Sequence, residues 1–203
     1  MNRLLFTGLL LCMATSWVVA QGSCLNGNCQ NGEGKYLFTD GAAYQGGFKH
    51  GKFHGQGIMH YPNKDTYVGN WRNNLQEGRG RMTTRDNFYL GGFHQGKRHG
   101  EGTVTFTNGN KLTGTWAFGQ LNGTATFAFA NGDRYQGEMK GDFFDGYGTM
   151  QYFRGDSYTG EWRNNQRHGN GKMTFTDGTQ LEGTPVHPIW SVDRNDFIGV
   201  RSA

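Results

Sequence analysis

The chain has 203 residues, of which 35 are Gly and only 3 are Pro, and its formal net charge is +4. With 15 Phe, 9 Tyr and 5 Trp, it is too rich in aromatic side chains to be a disordered polar chain. Leu, Ile, Val and Ala, which usually fill a thick hydrophobic core, are scarce after residue 20. The composition therefore argues against an ordinary two-layer enzyme domain.

Residues 1–20 have the layout of a secretory signal peptide. Arg3 precedes an apolar stretch, and small residues lead to a predicted cleavage site after Ala20. An uncleaved membrane anchor is the alternative, because residues 4–20 are almost long enough to span a bilayer. We therefore expect an exported protein that is periplasmic, envelope-associated or secreted.

Removal of the signal peptide would leave two cysteines, Cys24 and Cys29. In an oxidising compartment two thiols so close in sequence favour a small structural disulfide. Free thiols are the alternative. A zinc or redox site is poorly supported, since there is no second pair of cysteines to complete it.

One pattern of 22 or 23 residues recurs from Tyr44 onward. With Tyr44 as position 0, that position is repeated at Tyr67, Tyr89, Leu112, Tyr135, Tyr158 and Leu181. Position 2 is always Gly, and position 4 is Phe48, Trp71, Phe93, Trp116, Met139 or Trp162. Gly also occupies position 11 in every repeat, and it occupies position 13 in every repeat except the one with Ala125. Six full repeats are followed by a truncated seventh.

The pattern predicts two strands in each repeat. Positions 0, 2 and 4 are apolar or Gly and alternate with polar residues, which is typical of a half-buried strand. Positions 15 and 17 repeat this alternation in a second strand, with Thr84 as the one polar exception. Each repeat is therefore predicted to be a β-hairpin, and no segment of the repeats favours helix.

Two kinds of turn are expected between these strands. Position 7 is Gly, Asn or Asp (Asn74, Asp142 and Asn165 are the non-glycine cases), the types that most readily accept a positive φ. The other turn contains Asx-Gly pairs such as Asp40-Gly41 and Asn131-Gly132, which are common between antiparallel strands.

The expected fold is all-β, an elongated single-layer antiparallel sheet of stacked hairpins. We assign residues 1–20 to the signal peptide, 21–43 to an N-terminal cap with a half repeat, 44–183 to the repeats and 184–203 to a C-terminal cap. Such an array needs covered ends. A short helix capped by Ser191 is a further prediction for the C-terminal cap.

The motif Tyr-x-Gly-x-(Phe/Trp)-x-x-Gly-x-x-x-Gly-x-Gly, seen in 44–57 and 89–102, resembles the MORN repeat family. The resemblance extends over about residues 30–183, with Met139, Ala125 and the non-glycine residues at position 7 as departures. It implies a β-hairpin scaffold that mediates protein interaction or self-association, in some members near membranes or bound to phospholipid. It implies no catalysis.

Catalytic and cofactor motifs are weak in this sequence. The segment 46–52 reads G-x-x-x-x-G-K, but Phe53 follows where a phosphate-binding loop needs Ser or Thr, and no helix is predicted there. His54, His99 and His168 belong to different repeats and cannot converge on one metal ion. We expect no catalytic residue, no metal, no cofactor and no nucleic-acid partner.

Two surfaces are candidates for binding. The first is the aromatic face, which a single-layer sheet is not expected to bury completely, formed by Tyr44, Phe48, Tyr67, Trp71, Tyr89, Phe93, Trp116, Tyr135, Tyr158 and Trp162. The second is a basic patch of Arg79, Arg81, Lys97 and Arg98 in residues 44–111, which hold ten Lys or Arg against four Asp or Glu and so carry a charge of 10 − 4 = +6. The aromatic face favours a protein partner or a second copy of the chain. The basic half suits an anionic lipid surface or a cell-wall glycan, unless its charge only keeps the protein soluble.

The signal-peptide assignment predicts a mature protein that begins at Gln21 and contains a disulfide between Cys24 and Cys29. Intact-mass measurement of the protein from its native host, with and without reduction before alkylation, checks both points. A mature chain that retains residues 1–20, or two thiols that are alkylated without reduction, would contradict the prediction.

Overall fold

The computed structural model describes residues 22–185 and 197–198. The predicted signal peptide and the helix expected after Ser191 lie outside these residues. Within the described part all regular secondary structure is β-strand, as expected for stacked hairpins. It contains no helix with the length and apolarity required to cross a bilayer.

Sixteen strands follow one another in the described part of the chain. They are β1 (Gly22–Gly27), β2 (Asn31–Phe38), β3 (Ala43–Lys49), β4 (Lys52–His60), β5 (Thr66–Arg72), β6 (Leu75–Thr83), β7 (Asn87–His94), β8 (Lys97–Phe106), β9 (Lys111–Ala117), β10 (Gln120–Ala128), β11 (Arg134–Lys140), β12 (Phe143–Gln151), β13 (Ser157–Arg163), β14 (Gln166–Thr174), β15 (Gln180–Pro185) and β16 (Phe197–Ile198).

Each strand pairs in antiparallel fashion with the strand before and the strand after it in sequence. The hairpin register places the glycine of position 2 opposite the glycine of position 13, as in Gly69 opposite Gly80. The same pairing joins successive repeats, where Gly57 lies opposite Gly69. The single-layer antiparallel sheet predicted from the repeat is therefore confirmed, and its glycines form a row across the strands that Ala125 interrupts.

The hairpin turns at positions 6 and 7 confirm the expectation of positive φ with one exception. In the second repeat Asn73 and Asn74 have φ values of 52° and 70°, as a type I′ turn requires. In the fifth repeat the prediction for Asp142 is wrong, because the positive φ of 61° belongs to Gly141. A glycine in the first central position allows a type II′ turn, so Asp142 needs no strained backbone.

Hydrogen bonds connect the position-7 turns to the preceding repeat. The amide of Asn74 donates to the carbonyl of Phe53 (3.1 Å), and the Asn74 side-chain oxygen accepts from the amide of Phe53 (2.8 Å). Asn165 makes the same side-chain contact with Phe144 at 2.7 Å. These bonds give a reason for Asn rather than Gly at position 7 in these two repeats.

The tyrosine at position 0 organises the interior of each repeat. The Tyr67 ring lies flat over Gly69 and Gly80, where any side chain would overlap it, and its hydroxyl donates to the carbonyl of Asn70 at 3.0 Å. The tyrosines of this position are fully buried: Tyr44, Tyr67, Tyr89, Tyr135 and Tyr158. Burial raises the pKa of the Tyr158 phenol to about 12, so the group stays a neutral donor at ordinary pH.

The fourth repeat shows how the tyrosine and the glycine depend on each other. Leu112 replaces the tyrosine, and Ala125 replaces the glycine at position 13. Both side chains are buried. Because no ring lies over this site, the extra methyl group of Ala125 has room.

This dependence predicts a double-mutant result. Gly80→Ala should lower the free energy of unfolding by about 2 kcal/mol, because the new methyl group meets the Tyr67 ring. In a Tyr67→Leu background, which copies the fourth repeat, the cost of the same change should fall by about 1 kcal/mol or more. Urea denaturation of the four proteins measures this coupling.

Gly123→Ala is the matched control. Gly123 has a φ of +77°, and no atom lies within 4 Å of the position of an added Cβ, so the cost comes from the backbone alone. Gly123→Ala should lower the free energy of unfolding by the same amount in the wild-type protein and in the Tyr67→Leu background. Additive effects of Gly80→Ala and Tyr67→Leu would contradict the assigned role of the ring.

Candidate functional site

The inner face of the sheet carries the aromatic side chains predicted as a binding surface. Those ten side chains are buried, with exposed fractions of 0% for the tyrosines and 4 to 6% for Phe48, Trp71, Phe93, Trp116 and Trp162. The expectation that a single-layer sheet leaves this face partly open is wrong for these positions. Contact between them and a partner stays a prediction, and their burial shows that they pack the interior of the sheet.

The tyrosines are covered by two further rows of side chains, which we call the roof. Position 17 of one repeat meets position 9 of the next: Phe38 packs edge-on against Phe53 with ring centroids 6.0 Å apart. Phe129 and Phe144 repeat this contact at 6.1 Å. In the second repeat Gln76 donates a hydrogen bond of 3.2 Å to the Tyr61 hydroxyl. The roof explains how one layer of strands buries its aromatic residues.

The repeat pattern did not indicate the role of position 9. Its residues vary widely along the array: Gln30, Phe53, Gln76, Arg98, Leu121, Phe144 and Arg167. Two of them stack directly on the tyrosine of their own repeat, Phe53 on Tyr44 and Phe144 on Tyr135, both with centroids 3.8 Å apart. The available signal was the strand register, because position 9 pairs with the aromatic position 4.

The roof opens into a cleft at the N-terminal end of the array. This N-terminal cleft has a volume of about 560 Å³ and is lined by Cys24, Cys29, Gln30, Tyr36, Phe38, Phe48, Gly51, Phe53 and Asn74. Tyr36 and Phe38 are only half-buried, and their rings meet edge-on with centroids 5.0 Å apart. Aromatic rings are therefore accessible here, in contrast to the buried row behind them.

Polar groups and a disulfide shape the wall of the N-terminal cleft. Cys24 and Cys29 are bonded, with an S–S distance of 2.06 Å, and this bond closes the connection between β1 and β2. The exposed Gln30 lies beside Gly51, whose amide donates to the Gln30 carbonyl at 3.0 Å. An apolar cleft with a few fixed polar groups has the usual character of a ligand site.

The four residues of the predicted basic patch do not share one surface. Arg79 and Arg81 are exposed on the outer face, where they lie opposite Gly92 and Leu90 of β7. Lys97 is exposed at the hairpin turn between β7 and β8. Arg98 lies on the inner face, with its guanidinium carbon 4.8 Å from the Tyr89 ring centroid. The structure therefore divides the predicted patch between the two faces.

The outer face near Arg81 also exposes apolar side chains. Val68 and Leu90 are 44% and 54% exposed and lie on strands adjacent to Arg81. The guanidinium carbon of Arg81 lies 4.3 Å from the centroid of the Phe88 ring. We call the surface formed by Val68, Arg79, Arg81 and Leu90 the outer patch. It combines exposed apolar and basic groups.

His94 and Glu77 form the clearest ionisable pair, with Nδ1 and Oε1 3.0 Å apart. The Glu77 carboxylate also accepts a hydrogen bond from the amide of Gln95 at 3.1 Å, and these contacts lower its pKa. Glu77 of the second repeat thereby contacts the hairpin turn between β7 and β8 in the third repeat. Among residues 22–185 and 197–198 no group of three or more His, Cys, Asp or Glu is placed to hold a metal ion.

Solved structures of other proteins share this fold. The TCP domain of SAS-4 (dCPAP) of Drosophila melanogaster, solved in complex with a proline-rich motif of Ana2 (dSTIL), has 16% sequence identity and a TM-score of 0.53, and the match covers 91% of this chain and 98% of that domain. A mutant TCP10 domain of Danio rerio CPAP has 14% identity and a TM-score of 0.50, with 75% and 72% of the two chains covered. At such identities the likeness concerns the fold alone. No curated protein matches the chain by sequence.

The repeats themselves match a described family. The MORN repeat model matches seven consecutive segments, residues 30–43, 44–66, 67–87, 89–111, 113–134, 135–157 and 158–180. The first segment is the half repeat before Tyr44, and the next six are the repeats found from the glycine spacing. The match covers most of the chain, so this protein belongs to the MORN repeat family.

Proposed function

We propose that this protein is a non-catalytic interaction scaffold whose N-terminal cleft binds an extended, proline-rich segment of another protein. The observation that carries the proposal is the exposure of Tyr36 and Phe38 in a cleft at one end of an otherwise buried aromatic row.

The chemistry of the cleft suits a polyproline helix. Proline rings pack well in grooves lined by aromatic side chains, and a polyproline segment loses little conformational entropy when it binds. The exposed amide of Gln30 at the cleft wall is a suitable partner for the carbonyl groups that such a segment leaves unpaired. The rest of the lining is mainly apolar, as recognition of uncharged proline residues requires.

The related fold offers support of a general kind. The SAS-4 TCP domain was solved in complex with a proline-rich motif of Ana2. A single-layer sheet of this type can therefore serve as a peptide-binding module. The position of the cleft on this chain comes from its own residues.

Export is the second part of the proposal. The sequence pattern of residues 1–20 supports it, and the Cys24–Cys29 disulfide is of the kind that persists in oxidising compartments. In this setting the scaffold would act in the periplasm, at the cell envelope or outside the cell. Its partner would be another exported protein or a second copy of the chain.

Peptide binding at the N-terminal cleft predicts a difference between two equivalent phenylalanines. Phe38→Ala should weaken the binding of a fluorescein-labelled decaproline peptide at least tenfold, because Phe38 forms the cleft. Phe175→Ala, a change at the same position 17 of the last repeat, should alter affinity less than twofold. Fluorescence anisotropy measures both, and a Gly-Ser peptide of equal length reports nonspecific binding.

Thermal unfolding of both variants separates loss of binding from loss of structure. Both phenylalanines are half-buried, so similar changes in stability are expected. An equal loss of affinity in the two variants, or decaproline binding no tighter than that of the Gly-Ser peptide, would contradict the proposed cleft function.

A second candidate function is binding to an anionic lipid surface or an anionic cell-wall glycan through the outer patch. The observation in its favour is the exposure of Arg79 and Arg81 beside Val68 and Leu90. Apolar side chains bordered by cations suit a charged interface.

This candidate predicts that Arg79→Glu with Arg81→Glu greatly reduces sedimentation with vesicles that contain 30% phosphatidylserine, and that added salt weakens the wild-type interaction. The change Arg163→Glu with Lys172→Glu, in the sixth repeat, is the control and should have little effect. Equal loss in both double variants would indicate net charge rather than a site. A matched assay with purified peptidoglycan distinguishes a glycan from lipid.

A further inference from the structure

A cation replaces the aromatic ring at two positions of the roof, Arg98 and Arg167; Arg167 is buried, whereas Arg98 is half-buried. In the third repeat Arg98 occupies position 9, and its guanidinium carbon lies 4.8 Å from the Tyr89 ring centroid and 5.1 Å from that of Trp116. Residues 22–185 and 197–198 provide no ion pair for this half-buried cation. Its desolvation lowers its pKa, although an arginine remains charged.

The first and fifth repeats show what this arrangement replaces. There Phe53 or Phe144 stacks on the tyrosine, and the following tryptophan donates its indole hydrogen to a glycine carbonyl. Trp71 bonds to Gly57 at 3.3 Å. Trp162 bonds to Gly148 at 3.1 Å. In the described part of the chain Trp116 Nε1 has no acceptor, although the atom is buried.

The roof is also incomplete on the side that faces Arg98. Position 17 of the preceding repeat is Thr84, the one member of that row without a large side chain. The Thr84 hydroxyl donates to the carbonyl of Asn87 at 3.1 Å, within its own turn. Arg98 therefore receives no aromatic cover from this row, in contrast to Phe53 and Phe144.

We propose that Arg98, framed by Tyr89 and Trp116 at the gap left by Thr84, is a binding site for a single carboxylate group of a partner protein. The planar guanidinium offers paired N–H donors that match the two oxygens of a carboxylate. The aromatic rings hold it in place and limit the access of water. The site lies two repeats from the N-terminal cleft and does not depend on peptide binding there.

The local charge favours a monoanion over a phosphate dianion. Arg98 is the one cation placed on these rings, since Lys97 is exposed at the hairpin turn and Arg79 and Arg81 are on the outer face. Asp142, in the turn after β11, is the acid whose charge acts on Arg98. A dianion at a single half-buried cation would leave one negative charge unpaired and would cost more desolvation than a monoanion does.

Titration with sodium acetate and with N-acetyl-glutamate tests the site, with sodium chloride at equal ionic strength as the reference. The indole resonance of Trp116 in ¹H–¹⁵N spectra should shift in a saturable manner. The indole resonances of Trp71 and Trp162 are internal controls and should shift little, because these rings contact Phe53 and Phe144 of the preceding repeat where Trp116 contacts Arg98.

Arg98→Phe is the decisive variant, because it copies the first and fifth repeats and should leave the fold intact. It should weaken the acetate response of the Trp116 indole at least tenfold. Arg98→Lys should weaken it severalfold, since the paired donors are lost. Arg79→Gln should leave it unchanged, and Asp142→Asn should strengthen it.

Three results would overturn the proposal. The first is an unchanged acetate response in folded Arg98→Phe. The second is an equal shift of all three indoles. The third is tighter binding of methyl phosphate than of acetate, which would favour a phosphorylated ligand or a lipid headgroup. The Phe38→Ala protein should keep the full acetate response, so failure of the cleft proposal leaves this test valid.

Discussion

The fold depends on one interaction, the contact between a tyrosine ring and two glycines that face each other across a pair of strands. The absence of side chains on Gly69 and Gly80 lets the Tyr67 ring lie flat on the backbone, where its hydroxyl reaches the carbonyl of Asn70. The ring is thereby buried without a second layer of structure above the sheet. Repetition of this contact explains both the high glycine content and the shortage of aliphatic residues.

The roof links this local contact to function. Side chains at positions 9 and 17 close over the tyrosines, and those at position 9 differ in type from repeat to repeat. Where both are aromatic, as in Phe129 and Phe144, their rings meet edge-on above the tyrosine row. At the N-terminal cleft, where Gln30 occupies position 9, and at Arg98, the same scaffold presents accessible aromatic rings or a guanidinium. Binding specificity can therefore vary from repeat to repeat without loss of the fold.

The two faces of the sheet have different chemistry. The inner face is aromatic and largely buried, and its accessible sites are discrete. The outer face is a polar surface with cross-strand threonine pairs, such as Thr103 with Thr113 at 2.9 Å, and with the outer patch around Arg81. A partner on one face leaves the other face free, so a scaffold of this kind can hold two ligands at once.

The sequence by itself determined the repeat length, the hairpins, the sheet and the aromatic row at positions 0 and 4, because glycine and aromatic positions recur at the two-residue period of a strand. It also indicated the disulfide partners. Only the tertiary structure decided which of these residues are accessible. Burial of Trp71, separation of Arg98 from Arg81, and the cleft at Phe38 all depend on contacts between neighbouring repeats. Such contacts join positions that vary in sequence, so no periodic pattern reports them.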